Sequence, residues 1–530
     1  MSDTNAELRL RITEGCPTQQ ALNAAARAVF EHPSMRRTLE GAQYRLLSLQ
    51  ALDPAEKTHN FVAPERYRAT VYDFTNNRSL VVEGQLARPE DLETSVSAAQ
   101  PLPTDEEFDA AVAILQRDET IGRAICDQNV QVYRPMPPLI PTELADGRIE
   151  RTLAVGLFSP NDTLRHRIVG VNLVRDTVVH DVASFVGVAN PSSLDCGPPT
   201  GQSCPASGGP NQAHVTITQG GTTLWTFTVV RPSASSGTNG SGVELRFVDY
   251  RGKRVLYRAH VPILSVEYQQ DGTNAGCGPT YRDWQNEEAC FQANGVDAVP
   301  GFRLCSSPAQ TILDSGSDAG NFRGVAIYVQ GLEVVLVSEL RAGWYRYISE
   351  WRLHANGTIR PRFGFGAASN PCTCHAHHHH AYWRLDFDIR TAQNNFVEEY
   401  NDPPLFPPSH WHTKHFEIRR PRDAAHKRRW RVRNSITGEG YTLIPGADDG
   451  SADAYGVGDL WVLRYHGTEL DDGQGFTTVP ALSRANIDKF VTGEPVENQD
   501  VVLWYVGHFL HDPAHAGGHI VGPSLEPFNW

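Results

Sequence analysis

Residues 374–388 read CHAHHHHAYWRLDFD, and the interpretation of the whole chain starts from this stretch. Five histidines fall within six positions, directly before an alternation of apolar and polar side chains that is typical of a β-strand. A purification tag would lie at a terminus beside a linker, whereas this run continues into a strand in the body of the chain. The histidines therefore belong to a β-rich protein.

A strand would divide these histidines between two faces. His377 and His379 would share one face, while His378 and His380 would point the other way. Such a pair can hold one metal ion with a third ligand from elsewhere, and three imidazoles suit copper, zinc or iron. The alternative is a solvated, histidine-rich loop. The segment 501–519 supplies four candidates for the third ligand, His508, His511, His515 and His519.

The second two-thirds of the chain is typical of a β-sandwich. From about residue 150, short strands such as TLWTFTVV, RVLYRAHV and VVLWYVGHFL recur between turn signals, with little helix. This pattern predicts a large antiparallel β-sandwich.

The residues before it mix helix and strand. Helical spacing covers 18–33, a hairpin is predicted over 66–86, and a helix capped by Thr104 over 102–125. The predicted fold is therefore α+β, with two small α/β domains before the sandwich. The predicted domain boundaries are 1–60, 61–150 and 151–530.

Charge and hydropathy narrow the class of protein. The 530 residues carry a formal net charge of −14 with no basic run to offset it, which argues against a nucleic-acid partner. No apolar stretch has membrane-spanning length, so no membrane partner is expected. The sequence MSDTNAELRLRITEG lacks the profile of a signal peptide, which indicates a cytoplasmic protein.

Nine cysteines leave their pairing open. Cys372 and Cys374 form a CTC beside the histidines, where a soft-metal site must be considered. Cys290 and Cys305 are close enough in sequence to bridge. The simpler expectation is a set of free buried thiols with one local disulfide.

Several segments together resemble the copper amine oxidases, quinone enzymes that oxidise primary amines. Residues 342–362, AGWYRYISEWRLHANGTIRPR, are similar to the family segment around the modified tyrosine. This match places Tyr345 at the tyrosine that becomes topaquinone. HHHHAYWRLDFD resembles the family's His-X-His strand, which assigns copper to His377 and His379. The segment 500–513 resembles the strand of the third ligand and places it at His511 rather than at His508.

The resemblance also implies a base and a second ion. VELRFVDYRGKRVLYRAHVPILSVEY (243–268) is similar to the strand pair that leads to the catalytic aspartate. The YRD that follows matches the gate tyrosine and the base, as Tyr281 and Asp283. Oxygen ligands suit a calcium-like ion. Its matched ligands are the carboxylates of Asp386, Asp388 and Asp500 and the carbonyls of Phe387 and Val501.

In such an enzyme, copper and dioxygen convert the tyrosine into topaquinone. A primary amine is then oxidised to an aldehyde, with hydrogen peroxide and ammonia as the other products. Asp283 would abstract a proton, which requires a pKa raised by an apolar pocket. A surface aspartate paired with Arg282 is the alternative. The resemblance further implies a homodimer whose other partners are a small amine and dioxygen.

The chain departs from the family around the tyrosine. The family has Asn-Tyr followed by Asp or Glu, whereas this chain has Trp344, Tyr345 and Arg346. Two further interpretations therefore stay open. In one, Tyr345 is unmodified and the protein is a quinone-free mononuclear copper enzyme of specialised metabolism. In the other, the protein is a non-catalytic, copper-binding dimer. The sequence does not indicate the substrate, nor the roles of His375, His378 and His380.

Overall fold

The computed structural model of the chain describes residues 7–52, 57, 63–97, 100–136, 138–140, 142–143, 149–159, 166–180, 196–202, 204–205, 207–268, 280–475, 477, 479–512 and 520–530. The α-helices are α1 (Gln19–Glu31), α2 (Pro33–Thr38), α3 (Asp105–Leu115), α4 (Gly122–Cys126), α5 (Ile312–Ser315) and α6 (Pro480–Ser483). Short 3₁₀ turns cover Pro232–Ala234, Pro371–Cys374 and Asp488–Phe490.

The strands of the first half are β1 (Leu8–Glu14), β2 (Tyr44–Leu52), β3 (Arg66–Asp73), β4 (Arg78–Gln85), β5 (Leu92–Ser97), β6 (Gln131–Tyr133), β7 (Thr142–Glu143), β8 (Ile149–Glu150), β9 (Thr152–Phe158), β10 (His166–Asn172), β11 (Thr177–Val179), β12 (Thr200–Gly201), β13 (Gln212–Gln219), β14 (Thr222–Val230), β15 (Glu244–Tyr250) and β16 (Lys253–Tyr268). Those of the second half are β17 (Thr280–Arg282), β18 (Gly295–Val299), β19 (Phe302–Cys305), β20 (Asp318–Ala319), β21 (Val325–Gln330), β22 (Glu333–Ala342), β23 (Tyr345–His354), β24 (Ile359–Ala367), β25 (His377–Phe387), β26 (Asn395–Tyr400), β27 (Trp411–Lys414), β28 (Ile418–Arg420), β29 (Arg429–Asn434), β30 (Gly440–Ile444), β31 (Leu460–Arg464), β32 (Val501–His511), β33 (Ile520–Val521) and β34 (Ser524–Phe528).

Two large sheets pack face to face. The first has the order β1-β13-β14-β15-β16-β25-β32-β31-β28, with β17 on β16. The second has the order β18-β19-β21-β22-β23-β24-β34-β30-β29-β26-β27, with β33 on β24. Trp225 and Leu385 of the first sheet share one buried core with Leu336 and Trp351 of the second. The prediction of a large antiparallel β-sandwich is confirmed.

Two smaller sheets precede the sandwich. In the sheet β2-β3-β4-β5, Ala69 and Val71 pack on Ala25 and Val29 of α1. In the sheet β11-β10-β9-β6, the apolar side of the strands packs on α3. The pairing of β2 with β3 crosses the boundary predicted at 60/61, and β9 to β11 lie beyond residue 150. The domain division of the chain therefore stays a prediction.

The helix predicted over 102–125 is interrupted. Thr104 caps α3 as expected, since its hydroxyl accepts from the backbone N–H of Glu107. The helix ends at Leu115, and α4 begins only at Gly122. In between, the Asp118 carboxylate accepts the backbone N–H groups of Thr120 and Ile121. Such local side-chain bonds compete with helical hydrogen bonds, which explains the break.

The cysteine expectation is wrong. Cys196 is bonded to Cys374 and Cys204 to Cys290, across 178 and 86 residues of sequence. Cys305 is a free thiol and does not pair with Cys290. Because the sulfur of Cys374 is in a disulfide, the CTC does not offer two thiolates to a soft metal. Cys277 lies outside the described residues.

The described part of the chain contains no helix that is both long enough and apolar enough to cross a membrane.

The strands in the middle of the first sheet set the register of the histidine run. Strand β25 lies between β16 and β32, so that His377 stands opposite Tyr268 on one side and opposite His511 on the other. Strand β23 of the second sheet begins at Tyr345 and faces the same place.

Candidate metal centre

The structure brings together the three predicted copper ligands. His377, His379 and His511 each present a ring nitrogen, and these three atoms lie within 4.8 Å of one another. His377 and His379 are fully buried at the start of β25, on one face of the strand. His511 reaches them from the end of the neighbouring strand and is half-buried.

Hydrogen bonds set which nitrogens are available as ligands. Nδ1 of His377 lies 2.6 Å from the carbonyl oxygen of His375, to which it must donate, so that Nε2 carries no proton. That Nε2 lies 3.2 Å from Nδ1 of His511. Nε2 of His379 is buried and has no hydrogen-bond partner among the described residues. A buried orphan nitrogen beside two more imidazoles is what a metal site requires.

Burial also keeps the imidazoles of His377 and His379 neutral. It lowers the pKa of His377 and of His379 well below the usual value, and the neighbouring histidines lower both further. Neutral imidazole is the form that binds metals. The residues present therefore fit copper, and the same donors accept zinc or iron. Phe365 stacks on His379 with a ring separation of 4.1 Å, which makes the surroundings of the site apolar.

Tyr345 points directly into this centre. Its hydroxyl oxygen lies 2.5 Å from Nε2 of His377 and 2.7 Å from the hydroxyl of Tyr268. The side chain is fully buried, and burial raises the pKa of Tyr345 well above its usual value. Tyr345 is thus a shielded phenol beside the candidate metal-binding nitrogens rather than an ordinary strand aromatic.

The two unusual neighbours of Tyr345 have separate roles. Arg346 makes a two-pronged ion pair with Asp318, at 2.5 and 3.0 Å, which satisfies its charge away from the phenol. The indole N–H of Trp344 donates to the hydroxyl of Tyr268 at 3.1 Å. The arginine is therefore neutralised, whereas the tryptophan is held against the site.

Asp283 lies inside the same pocket. It is fully buried, its Oδ2 accepts from the hydroxyl of Tyr347 at 2.5 Å, and its Oδ1 has no partner among the described residues. Burial raises the pKa of Asp283 to about 7, although the bond from Tyr347 opposes the shift. Arg282 pairs with Asp472 instead, at 2.7 and 2.9 Å. The alternative of a salt-bridged surface aspartate is therefore wrong.

Two tyrosines without an assigned role complete the site. The hydroxyl oxygen of Tyr347 lies 3.2 Å from Nδ1 of His379 and also donates to Asp283, so it connects the two side chains. Tyr268 stacks on the ring of His377 at 4.3 Å. The signal for Tyr347 was its spacing of two from Tyr345, which puts both on one face of β23. Tyr268 has no local signal, because its position depends on the pairing of β16 with β25.

The predicted gate residue Tyr281 forms part of the pocket wall. Its ring meets Tyr268 edge to face at 5.7 Å and Trp344 at 6.3 Å. Burial raises the pKa of Tyr281 above its usual value. The structure thus brings Tyr281, Asp283 and Tyr345 to one aromatic pocket.

Two other candidate histidines, His380 and His508, lie away from the three-histidine group. His380 is on the opposite face of β25, where its Nδ1 lies 2.8 Å from Nδ1 of His508. His508 also contacts the carbonyl oxygen of Gly458 at 2.9 Å. His508 is therefore not part of the three-histidine group, and His515 and His519 lie outside the described residues.

The second set of predicted ligands also comes together. Asp386, Asp388 and Asp500 are buried and form one cluster of carboxylates. Phe387 and Val501 stand opposite each other in the adjoining β25–β32 pair. The ammonium nitrogen of Lys57 lies among the three carboxylates, at 2.6, 2.5 and 2.7 Å from Asp386, Asp388 and Asp500. The ammonium of Lys57 thus lies at the place where the resemblance implies a calcium-like ion.

The fold and the three-histidine site define a copper amine oxidase-like architecture. The chain is similar to the copper-containing benzylamine oxidase of Hansenula polymorpha (12% identity, TM-score 0.56, covering 99% of this chain and 94% of that one). It is also similar to the lysyl oxidase of Pichia pastoris, with 12% identity and a TM-score of 0.52 over 92% of this chain and 85% of that one. The amine oxidase of Aspergillus nidulans is similar as well, with 14% identity and a TM-score of 0.51 over 96% of this chain and 87% of that one. No family model and no curated protein matches the chain.

Identity this low shows the fold alone. The chain therefore has the copper amine oxidase fold, together with a three-histidine group that could hold a metal ion such as copper.

Proposed function

We propose that this protein is a copper-dependent oxidase that deaminates a primary amine to an aldehyde, using dioxygen and releasing hydrogen peroxide and ammonia. Topaquinone would form from Tyr345. The observation that carries the proposal is the 2.5 Å contact between the Tyr345 hydroxyl and Nε2 of His377, one of three clustered imidazoles. A phenol in this position would be oxidised at the metal itself and out of contact with solvent.

Each side chain of the pocket has a part in this chemistry. His377, His379 and His511 would hold copper, which supplies one-electron chemistry with dioxygen. Asp283 would accept the proton from the substrate carbon, since a pKa of about 7 is suited to a general base at neutral pH. Tyr347 orients Asp283 through its hydrogen bond, and Tyr268 holds the hydroxyl of Tyr345.

The partners follow from the same proposal. They are a small primary amine, dioxygen and a second copy of the chain, and no nucleic acid or membrane is involved. The cytoplasmic location expected from the N-terminal sequence stays a prediction. The disulfides Cys196–Cys374 and Cys204–Cys290 favour an oxidising compartment or the outside of the cell instead, because disulfides persist mainly there.

Mass spectrometry of the peptide that carries Tyr345 tests the proposal. The metal-free chain is reconstituted aerobically with copper, and in parallel with zinc, which cannot support oxidation. We expect the copper sample alone to gain two oxygen atoms and lose two hydrogen atoms at Tyr345, and to react with phenylhydrazine. An unmodified Tyr345 in protein with bound copper would contradict the proposal.

Trp344 favours a second function. Its indole N–H donates to Tyr268 and its ring adjoins Tyr345, so it fills space that a tyrosine ring would need to reorient during its conversion. In this case Tyr345 stays unmodified and the protein is a quinone-free mononuclear copper enzyme of specialised metabolism. Copper-dependent oxygen uptake without a quinone would identify this function. Copper binding without oxygen uptake would leave a non-catalytic, copper-binding dimer.

A further inference from the structure

The cluster of Asp386, Asp388 and Asp500 already contains a cation that belongs to the chain. The ammonium of Lys57 lies within 2.7 Å of one oxygen of each carboxylate, and its side chain is only 7% exposed. Lys57 comes from the connection between β2 and β3 of the small sheet, whereas the aspartates are on β25, just after it, and just before β32. One lysine thus joins two distant parts of the fold at a buried point.

We propose that Lys57 is the resident cation of this carboxylate site, so that the natural chain binds no calcium-like ion there. The three protons of an ammonium group match three carboxylate oxygens, one bond to each. This inference does not depend on the proposed oxidase activity.

The other walls of the site suit an ammonium better than a divalent ion. The Lys57 nitrogen lies 4.8 Å from the ring centre of Tyr257 and 4.4 Å from that of Tyr465. Aromatic faces attract an ammonium through their quadrupole. Calcium instead requires six to eight oxygen ligands, and an aromatic face provides none.

A second cation also faces the cluster. The guanidinium of Arg384 lies 3.5 Å from Asp386, so Lys57 and Arg384 together offset most of the negative charge of the three carboxylates.

Removal of the ammonium should open the site. In Lys57→Ala the three carboxylates would lose their cation and gain space for a metal with its waters. We expect Lys57→Ala to bind Ca²⁺ at least about a hundredfold more tightly than the natural chain, because a cation a few Å away repels a divalent ion strongly. Calcium should accordingly raise the melting temperature of this variant and leave that of the natural chain unchanged.

Tb³⁺ provides a direct readout on the full-length chain. Tyr257 and Tyr465 adjoin the site and would sensitise Tb³⁺ luminescence, which Ca²⁺ should then quench by competition. We expect this signal in Lys57→Ala. Three controls should lack it: Lys57→Arg keeps a cation in the site, Lys57→Ala/Asp388→Asn removes a ligand, and Lys253→Ala deletes a lysine paired with Glu439.

Three results would overturn the proposal. The first is binding of Ca²⁺ by the natural chain that is lost in Asp388→Asn, since Lys57 would then be displaced by the metal. The second is a folded Lys57→Ala that neither binds Ca²⁺ nor is stabilised by it, since the carboxylates would then not form a cation site. The third concerns folding of this variant. If Lys57→Ala folds only when Ca²⁺ is present, the result supports the proposal. If it does not fold with Ca²⁺ either, the metal does not replace the ammonium and the proposal fails.

Discussion

The hydroxyl oxygen of Tyr345 lies 2.5 Å from Nε2 of His377, so a phenol and a candidate metal ligand face each other across the two sheets of the sandwich. Neither side chain is accessible to solvent. Any metal held by the three imidazoles would therefore have Tyr345 beside it. Variants of the residues around this contact should change copper binding, the pH dependence of activity and the conversion of Tyr345.

The alternation of the histidine run gives a test with a neighbouring control. Nε2 of His379 faces the proposed metal and has no hydrogen-bond partner within the described part of the chain, whereas His378 points to the other side of β25. We expect His379→Ala to weaken copper binding by roughly a hundredfold or more, and His378→Ala to leave it nearly unchanged. Metal content after dialysis against a weak chelator measures both. Equal losses would mean that copper is not bound as proposed.

Asp283 should set the acidic limb of the pH profile. A general base must be ionised, and the raised pKa of Asp283, about 7, means that its ionised fraction grows as the pH rises through neutrality. We expect kcat/KM for a primary amine to fall as the pH decreases below about 7. Asp283→Asn cannot take up the proton and should lower kcat by about 10²–10⁴-fold with copper still bound. A profile that is flat between pH 5 and 8 would exclude this role for Asp283.

Tyr347→Phe should shift the acidic limb of the pH profile towards higher pH. The hydroxyl of Tyr347 donates to Asp283 and stabilises its ionised form, which lowers the pKa. Without this bond the pKa should rise further, so the activity should require a higher pH. The pH profile of kcat/KM measures the shift, and the copper content checks that the variant still binds copper. A shift towards lower pH would contradict the assigned direction of the hydrogen bond.

Trp344→Asn tests whether bulk at this position limits conversion of Tyr345. Trp344 is 5% exposed, and its loss should cost about 3–5 kcal/mol of the free energy of unfolding. We nevertheless expect a larger fraction of modified Tyr345 after copper reconstitution, because the ring gains space. Trp344→Phe removes the bond to Tyr268 but keeps most of the bulk, and so separates the two effects. If the fraction of modified Tyr345 is no larger in Trp344→Asn than in the natural chain, the bulk of Trp344 does not limit the conversion.

The Cys196–Cys374 disulfide should support the metal site. Cys374 lies three residues before His377, and its partner is 178 residues away in sequence. We expect Cys196→Ser/Cys374→Ser to lower the free energy of unfolding by about 2–5 kcal/mol and to weaken copper binding as well. Cys204→Ser/Cys290→Ser removes a second disulfide, farther along the sequence from the histidine run, and should affect stability more than copper affinity. Unchanged copper affinity in both variants would mean that the first disulfide is not needed to position His377.

Several features were predictable because they depend on neighbouring residues. The alternation around 381–388 indicated a strand, and this strand places His377 and His379 on one buried face. Thr104 caps a helix because its hydroxyl reaches only three residues along the chain. In the described residues, even the break in that helix has a local cause, the side chain of Asp118.

The sequence by itself thus determined the strands, the class of fold and the residue types of the candidate metal centre, because period and spacing are properties of short segments. Only the tertiary structure decided which distant residues meet. Tyr268 reaches Tyr345 through the pairing of β16 with β25, Arg346 is neutralised by Asp318, and the ammonium of Lys57 enters a carboxylate cluster more than 300 residues away. Such contacts depend on strand register and on the packing of the two sheets, and no local pattern in the sequence encodes them.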